Sequence, residues 1–173
     1  LPVAPETPED EALAGPYAQR SIRRITGADA HTTYPLVHQS IYSVHQRVAV
    51  RFRQGLVLLA GDAAHVNNPL GGFGLNSGIH DAISLGQALS RVVKGEEGDE
   101  ALERYNRQRQ QANVAYVQEL SVRNKKNLEE KDPALRAQRM QELRAVCADP
   151  VKAREYLLNS SMINSIHRAQ SVA

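Results

Sequence analysis

Asp62 is the residue whose setting most clearly suggests chemistry. It follows a short apolar run, residues 56–60, and precedes a stretch, residues 67–78, holding four glycines, one proline and three asparagines. An ionised carboxylate only accepts hydrogen bonds, so the paired hydroxyls of a ribose or ribityl chain are natural donors to it. Gly71, Gly72 and Gly74 carry no Cβ, which lets a flat ligand approach the backbone. A helix beginning near Leu75 would leave the N–H groups of Leu75 and Asn76 pointing outward at the positive end of its dipole. Such groups suit a ligand that carries or develops negative charge. His65, three residues after Asp62, reads as a structural hydrogen-bond partner rather than half of an acid–base pair. There is no G-x-S-x-G elbow and no paired nucleophile and base.

The elements that must position these residues follow from the pattern. Residues 56–60 read as a buried strand, closed by Gly61 and Asp62, so the carboxylate projects from the strand's C-terminal edge. Residues 67–78 read as a loop with tight turns. Beyond it, Ile79, Ala82, Ile83, Gly86, Leu89 and Val93 recur at helical spacing and predict an amphipathic helix with that stripe inward.

The ordered series AGDAAH at 60–65, Pro69, Gly71-Gly72-x-Gly74-x-Asn76-x-Gly78 and Asp81-Ala82 closely resembles the second FAD-binding motif of the aromatic-ring flavoprotein monooxygenases, the para-hydroxybenzoate hydroxylase-like or class A family. Residues 42–55 resemble that family's return strand. The resemblance implies an α/β fold, α+β as a fragment. It would be the C-terminal part of an FAD-binding Rossmann-like domain with one or more substrate-domain strands and a helical C-terminal region. Residues 1–54 would end the substrate-binding domain, 55–95 would be the strand-loop-helix of the motif, and 96–173 the C-terminal helices. Carried over by position, the cofactor-binding residues are Gly61, Asp62, Pro69, Gly71, Gly72, Gly74, Leu75 and Asn76. Asp62 would bond the ribityl chain, and the backbone at Pro69 would lie beside the isoalloxazine, facing the reacting carbon. Gly71 to Gly74 would line the ring, and the amides of Leu75 and Asn76 would meet its pyrimidine end. Tyr42 and His45 are candidates for touching a phenolic substrate. In the family scheme NADH or NADPH reduces FAD, oxygen adds at C4a, and the hydroperoxyflavin hydroxylates an electron-rich aromatic ring.

The chain also departs from that family. No strand with a G-x-G-x-x-G turn precedes residue 56, and within GGFGLNSG the third glycine, Gly78, comes one position too late. The middle motif serving FAD and NAD(P)H is absent, and the first residue is Leu1. The expectation is the C-terminal portion of a longer enzyme, holding at most half of an FAD site, with the rest of the same polypeptide as its partner. A homodimer stays open. The competing reading is a non-catalytic helical module that binds flavin or protein. Reductases of the geranylgeranyl type and flavin halogenases share the motif broadly and form a further alternative.

Composition narrows the classes. The 173 residues are 42% hydrophobic and 23% charged, with a net charge of +2 and one cysteine. Mean hydropathy is −0.44. That charge gives no reason to invoke nucleic acid or a membrane surface, and no apolar span of membrane length or targeting segment is visible. The single Cys147 forbids an internal disulfide and fits a cytoplasmic setting. The histidines lack metal-ligand spacing, so no metal site is expected.

Elsewhere the pattern is mainly helical. Residues 1–15, rich in proline and acids, read as a tether, and 16–25 as a helix ended by Gly27. In residues 31–52 alternation predicts a half-buried strand, with Val48, Val50 and Phe52 inward and Ala49, Arg51 and Arg53 on a basic outer face. Residues 100–130 read as a long polar helix with a thin apolar stripe of Leu102, Tyr105, Ala112, Tyr116 and Leu120, its arginines solvated. Asp132-Pro133 and Asp149-Pro150 each place an N-cap before a first-turn proline. The tail from Met162 onward reads as a last helix.

Overall fold

A computed structural model describes Val3, Ala4 and residues 6–172. The chain divides into two units, residues 1–43 and 44–173. Leu1, Pro2 and Pro5 of the expected tether lie outside the described residues; the remainder contains a single helical turn, α1 (Glu9–Ala12). Helix α2 (Gly15–Thr26) has Pro16 in its first turn and stops at Gly27, whose φ of 70° is the left-handed conformation that closes helices. Gln19 braces the following chain by donating to the Tyr34 carbonyl at 2.7 Å and accepting from its N–H at 3.0 Å.

The second unit is helical around two antiparallel ladders. β1 (Arg47–Val48) pairs with β4 (His65–Val66), with Arg47 opposite Val66 and Val48 opposite His65. β2 (Arg53–Gln54) pairs with β3 (Val57–Leu58) across a turn at Gly55, φ 61°. A 3-10 turn (Gly61–Ala63) joins β3 to β4.

The expected long alternating strand over residues 31–52 is not formed. Val50 is 88% exposed while Phe52 is fully buried, and Arg53 is buried rather than outward. The cause lies on the long helix. Asn106 Oδ1 accepts from the N–H groups of Phe52 and Arg53 at 2.7 and 3.2 Å, which draws the chain inward. The Arg53 guanidinium then meets Asp99 at 2.5 Å and Glu103 at 3.1 Å. The buried strand expected at 56–60 is likewise reduced to two residues, with Leu56 95% and Val57 64% exposed. It is the outer arm of a hairpin and has no second neighbour among the described residues.

Helix α3 (Phe73–Val93) begins two residues earlier than expected, after Gly72 at φ 67°, and ends before Gly95 at φ 72°. Gly74, Leu75, Asn76, Ser77 and Gly78 are therefore helical, not loop. The buried face of α3 is Phe73, Ser77, Asp81 and Ala88. The predicted apolar stripe faces outward, with Ile79 47%, Ile83 54% and Val93 84% exposed. Packing against α4 and the 3-10 turn uses the helix's more polar side, which leaves the apolar side uncovered.

The long polar helix forms as expected, as α4 (Glu100–Ala112), a π-helical turn (Asn113–Gln118) and α5 (Glu119–Glu129) in succession. Its apolar stripe is buried at every position named, from Leu102 to Leu120. One core gathers Phe52, Ala64, Ala88, Ala101, Leu102 and Tyr105; the other gathers Phe73, Tyr116, Val117, Leu120 and Met162. Helices α6 (Pro133–Ala148) and α7 (Pro150–Ser160) carry the expected caps: Asp132 accepts from the Ala134 N–H, and Asp149 from Val151 and Lys152. Helix α8 (Ile163–Gln170) completes the described chain.

Candidate functional site

Asp62 sits in the 3-10 turn, exposed, with no hydrogen bond or ion pair among the described residues. Its carboxylate is free to accept from a ligand. Pro69, Gly71 and Gly72 are exposed in the loop that follows. The loop is shaped from within: Asn68 Oδ1 accepts from the Leu70 N–H at 3.1 Å, and the Gly72 N–H donates to the Pro69 carbonyl at 3.1 Å.

The start of α3 has no side-chain cap. The N–H groups left free are those of Phe73, Gly74 and Leu75, the first three residues of the helix. Asn76, expected to offer a free amide, lies inside the first turn, where its side-chain Nδ2 donates to the Gly72 carbonyl at 2.8 Å. Leu75 itself is 77% exposed. Gly72 has open space where a Cβ would stand. At Gly71, φ 110°, that space is used by the protein itself, since a Cβ would lie 2.3 Å from the Phe73 ring.

Tyr42 belongs to the first unit and is 80% exposed, and His45, at the start of the second, is exposed. A groove of about 510 Å³ is bordered by His80, Arg91, Tyr105, Arg109 and Ile166, and contains none of the loop residues. Within the second unit the candidate residues are thus exposed, with an acid in one turn and uncapped amides at one helix start.

Beneath that surface lies a buried group the sequence reading missed. Asp81 is fully buried on α3. Its Oδ2 accepts from the Gly61 N–H at 3.1 Å and lies 2.9 Å from His65 Nε2. Its Oδ1 accepts from Arg109 Nε at 2.7 Å and, more distantly, from Asn113 Nδ2 at 3.4 Å. A carboxylate cannot donate, so His65 donates through Nε2. Ser77 Oγ donates to Asn113 Oδ1 at 2.7 Å and receives Arg109 Nη2 at 3.2 Å. Burial alone would raise the Asp81 carboxyl, but the His65 bond, the Arg109 charge and the Gly61 N–H outweigh it and hold the group below the ordinary carboxylate value. His65 is thus a structural partner, as expected, but of Asp81 rather than Asp62. Arg109, expected on the solvated face of the long helix, is 3% exposed. Periodicity gave no sign of this burial, because Asp81 falls on the polar face of the expected helix; its place in the motif series, as Asp81-Ala82, was the available signal.

A family profile described as "FAD binding domain" matches residues 4–120. The para-nitrophenol 4-monooxygenase of Pseudomonas sp. strain WBC-3 is 34% identical over 161 residues, 90% of this chain and 40% of that protein. The 3-(3-hydroxy-phenyl)propionate/3-hydroxycinnamic acid hydroxylase of Mycolicibacterium smegmatis is 46% identical over 74 residues, 43% of this chain and 13% of that one. Among solved structures, the p-nitrophenol 4-monooxygenase PnpA of Pseudomonas putida DLL-E4 superposes with a TM-score of 0.77 at 32% identity, covering 94% of this chain and 41% of that chain. The chain thus spans less than half the length of these relatives. A match over residues 4–120 places it plainly: the chain belongs to the FAD binding domain family, among the class A flavoprotein aromatic monooxygenases.

Proposed function

We propose that this chain is the flavin-gripping C-terminal part of an FAD-dependent, NAD(P)H-using monooxygenase that hydroxylates an aromatic ring with O2 in the cytoplasm. The carrying observation is an Asp62 carboxylate with no partner among the described residues, together with the uncapped start of α3 at Phe73, Gly74 and Leu75. In this reading Asp62 accepts hydrogen bonds from the ribityl hydroxyls. The free amides of α3 meet the end of the isoalloxazine that becomes negative on reduction, where a helix N-terminus is most stabilising. Gly72 lets the ring approach the backbone, and the loop at Pro69 borders the substrate side. The bound flavin supplies the redox and oxygen-transfer chemistry, and the protein's part is to hold and orient it and exclude water. Residues 1–54 end the substrate-binding domain with its return strand, 55–95 hold the flavin and 96–173 are the C-terminal helices, with Tyr42 and His45 as candidate substrate contacts.

The exposed apolar side chains of α3, with Leu56 just before β3 and Val57 on it, support a further element of the reading. An uncovered apolar helix face marks an interaction surface. We assign its cover to the remainder of the same polypeptide, in keeping with relatives more than twice as long.

The test is made on the full-length polypeptide. Asp62→Ala is expected to release FAD on desalting while the unfolding temperature of its apoprotein stays within about 2 °C of the unmodified apoprotein's, as for a surface substitution. Retained, stoichiometric flavin would refute the site. NAD(P)H-driven O2 uptake in the unmodified enzyme, stimulated by a nitrophenol or a hydroxyphenyl acid, tests the activity and the substrate class named for its relatives.

A further inference from the structure

Asp81 makes none of the flavin contacts proposed above, yet its two carboxylate oxygens do different things. Oδ1 faces the long helix and takes Arg109 and Asn113. Oδ2 faces the motif and, among the described residues, takes Gly61 N–H and His65 Nε2. Each of those two partners leads directly to a proposed flavin contact. Gly61 is followed by Asp62, so holding its N–H at 3.1 Å constrains the turn that aims the Asp62 carboxylate. The far side of the His65 ring, Nδ1, lies 3.4 Å from Asn67 Nδ2. That same Asn67 atom would be 3.6 Å from a Cβ on Gly74, the second residue of α3, so it sits against the helix start. One oxygen atom therefore ties the acidic turn and the entry to the helix together, while Arg109 anchors the other oxygen to α4.

We propose that Asp81 is a positioning residue for the flavin site: through Gly61 and His65 it fixes the aim of Asp62 relative to the free amides of α3, so that the two contacts act as one. This rests on the flavin reading above. A residue acting only on stability and a residue acting through Asp62 predict different couplings. A general loss of stability weakens FAD binding by the same factor whether or not Asp62 is present. A loss of aim matters only while Asp62 is there to be aimed.

The experiment is a double-mutant cycle in the full-length holoenzyme, with the FAD dissociation constant read by fluorescence quenching after apoprotein reconstitution. Asp81→Asn keeps the shape and one acceptor oxygen but loses the charge. With Asp62 present it is expected to weaken FAD at least tenfold; in an Asp62→Ala background, threefold or less. Equal factors in the two backgrounds overturn the proposal. His65→Gln, which keeps a donor but shortens its reach, is run through the same cycle so that a poorly folding Asp81→Asn leaves a second measurement, and it is expected to be non-additive with Asp62→Ala in the same sense. If Asp62→Ala alone leaves the dissociation constant unchanged, it is the flavin assignment that falls.

Discussion

Gly61 and Gly78 meet backbone to backbone: a Cβ built on Gly78 would lie 3.2 Å from the Gly61 Cα. This approach seats the 3-10 turn directly on α3 and brings the Gly61 N–H within reach of Asp81, one turn further along the helix. Gly78 is therefore a packing residue within a helix.

That contact predicts a contrast between two glycines of one helix. In an open helix interior alanine is better than glycine by about 1 kcal/mol. Nothing lies within 4 Å of a Cβ on Gly86, so Gly86→Ala should realise most of that gain in this chain. At Gly78 the Gly61 backbone must recede by a few tenths of an ångström, and it is held by Asp81. Gly78→Ala should therefore be less stable than Gly86→Ala by at least about 1 kcal/mol. Urea unfolding that ranks the two equally would show that the turn yields freely.

Removing the carboxylate outright should be far more damaging. Asp81→Ala leaves the Arg109 guanidinium, 4% exposed, without its counter-charge. Breaking a buried ion pair from one side costs roughly 3–5 kcal/mol. Arg109→Ala should cost a comparable amount, and the double variant Asp81→Ala/Arg109→Ala less than the sum of the two. Strict additivity by equilibrium unfolding would argue that the pair is not coupled.

The same carboxylate sets an acid limit. Its native pKa is held below the ordinary carboxylate value by His65, Arg109 and Gly61 against the opposing effect of burial. A depressed native pKa contributes stability that is fully present above the unfolded value, about 3.9, and is lost as pH falls through the native one. Stability should therefore fall as pH drops below about 4, and more steeply than in Asp81→Asn, which has no proton to take up. Parallel pH–stability curves for the two proteins would assign acid sensitivity to other groups.

The parts of this fold legible from sequence were those governed by local rules. Gly27 ends a helix by its positive φ, and Asp132 and Asp149 cap helices whose first residue is proline; each needs only its neighbours. The apolar stripe from Leu102 to Leu120 was readable because its period matches the helix that buries it. The outward stripe of α3 was readable too, but not its direction. Which face a helix buries depends on what covers it, and within this chain α4 meets the polar face. Arg53 and Arg109 escaped for a related reason. Their partners, Asp99, Glu103 and Asp81, lie 28 to 50 residues away in sequence, and no periodicity records such distances. The motif singled out Asp62 as the working acid, whereas the acid most tightly held by the protein is Asp81.

Tyr105 offers a last separation, between packing and hydrogen bonding in the core. Its ring is 2% exposed among Phe52, Ala88, Ala101 and Leu102, and its hydroxyl donates to the Leu59 carbonyl at 2.6 Å. Burial pushes the phenol well above its usual pKa, so the hydroxyl is a neutral donor throughout the working range. The bond ties the end of the β3 segment, two residues before Gly61, to α4. Tyr105→Phe keeps the ring and leaves the Leu59 carbonyl unpaired, which should cost about 1–2 kcal/mol. Tyr105→Ala also empties the core and should cost roughly 3–5 kcal/mol. If thermal unfolding shows Tyr105→Phe as costly as Tyr105→Ala, the hydroxyl rather than the ring is what holds β3 to the long helix. If Tyr105→Phe costs nothing, water reaches Leu59 and the segment is looser than its geometry implies.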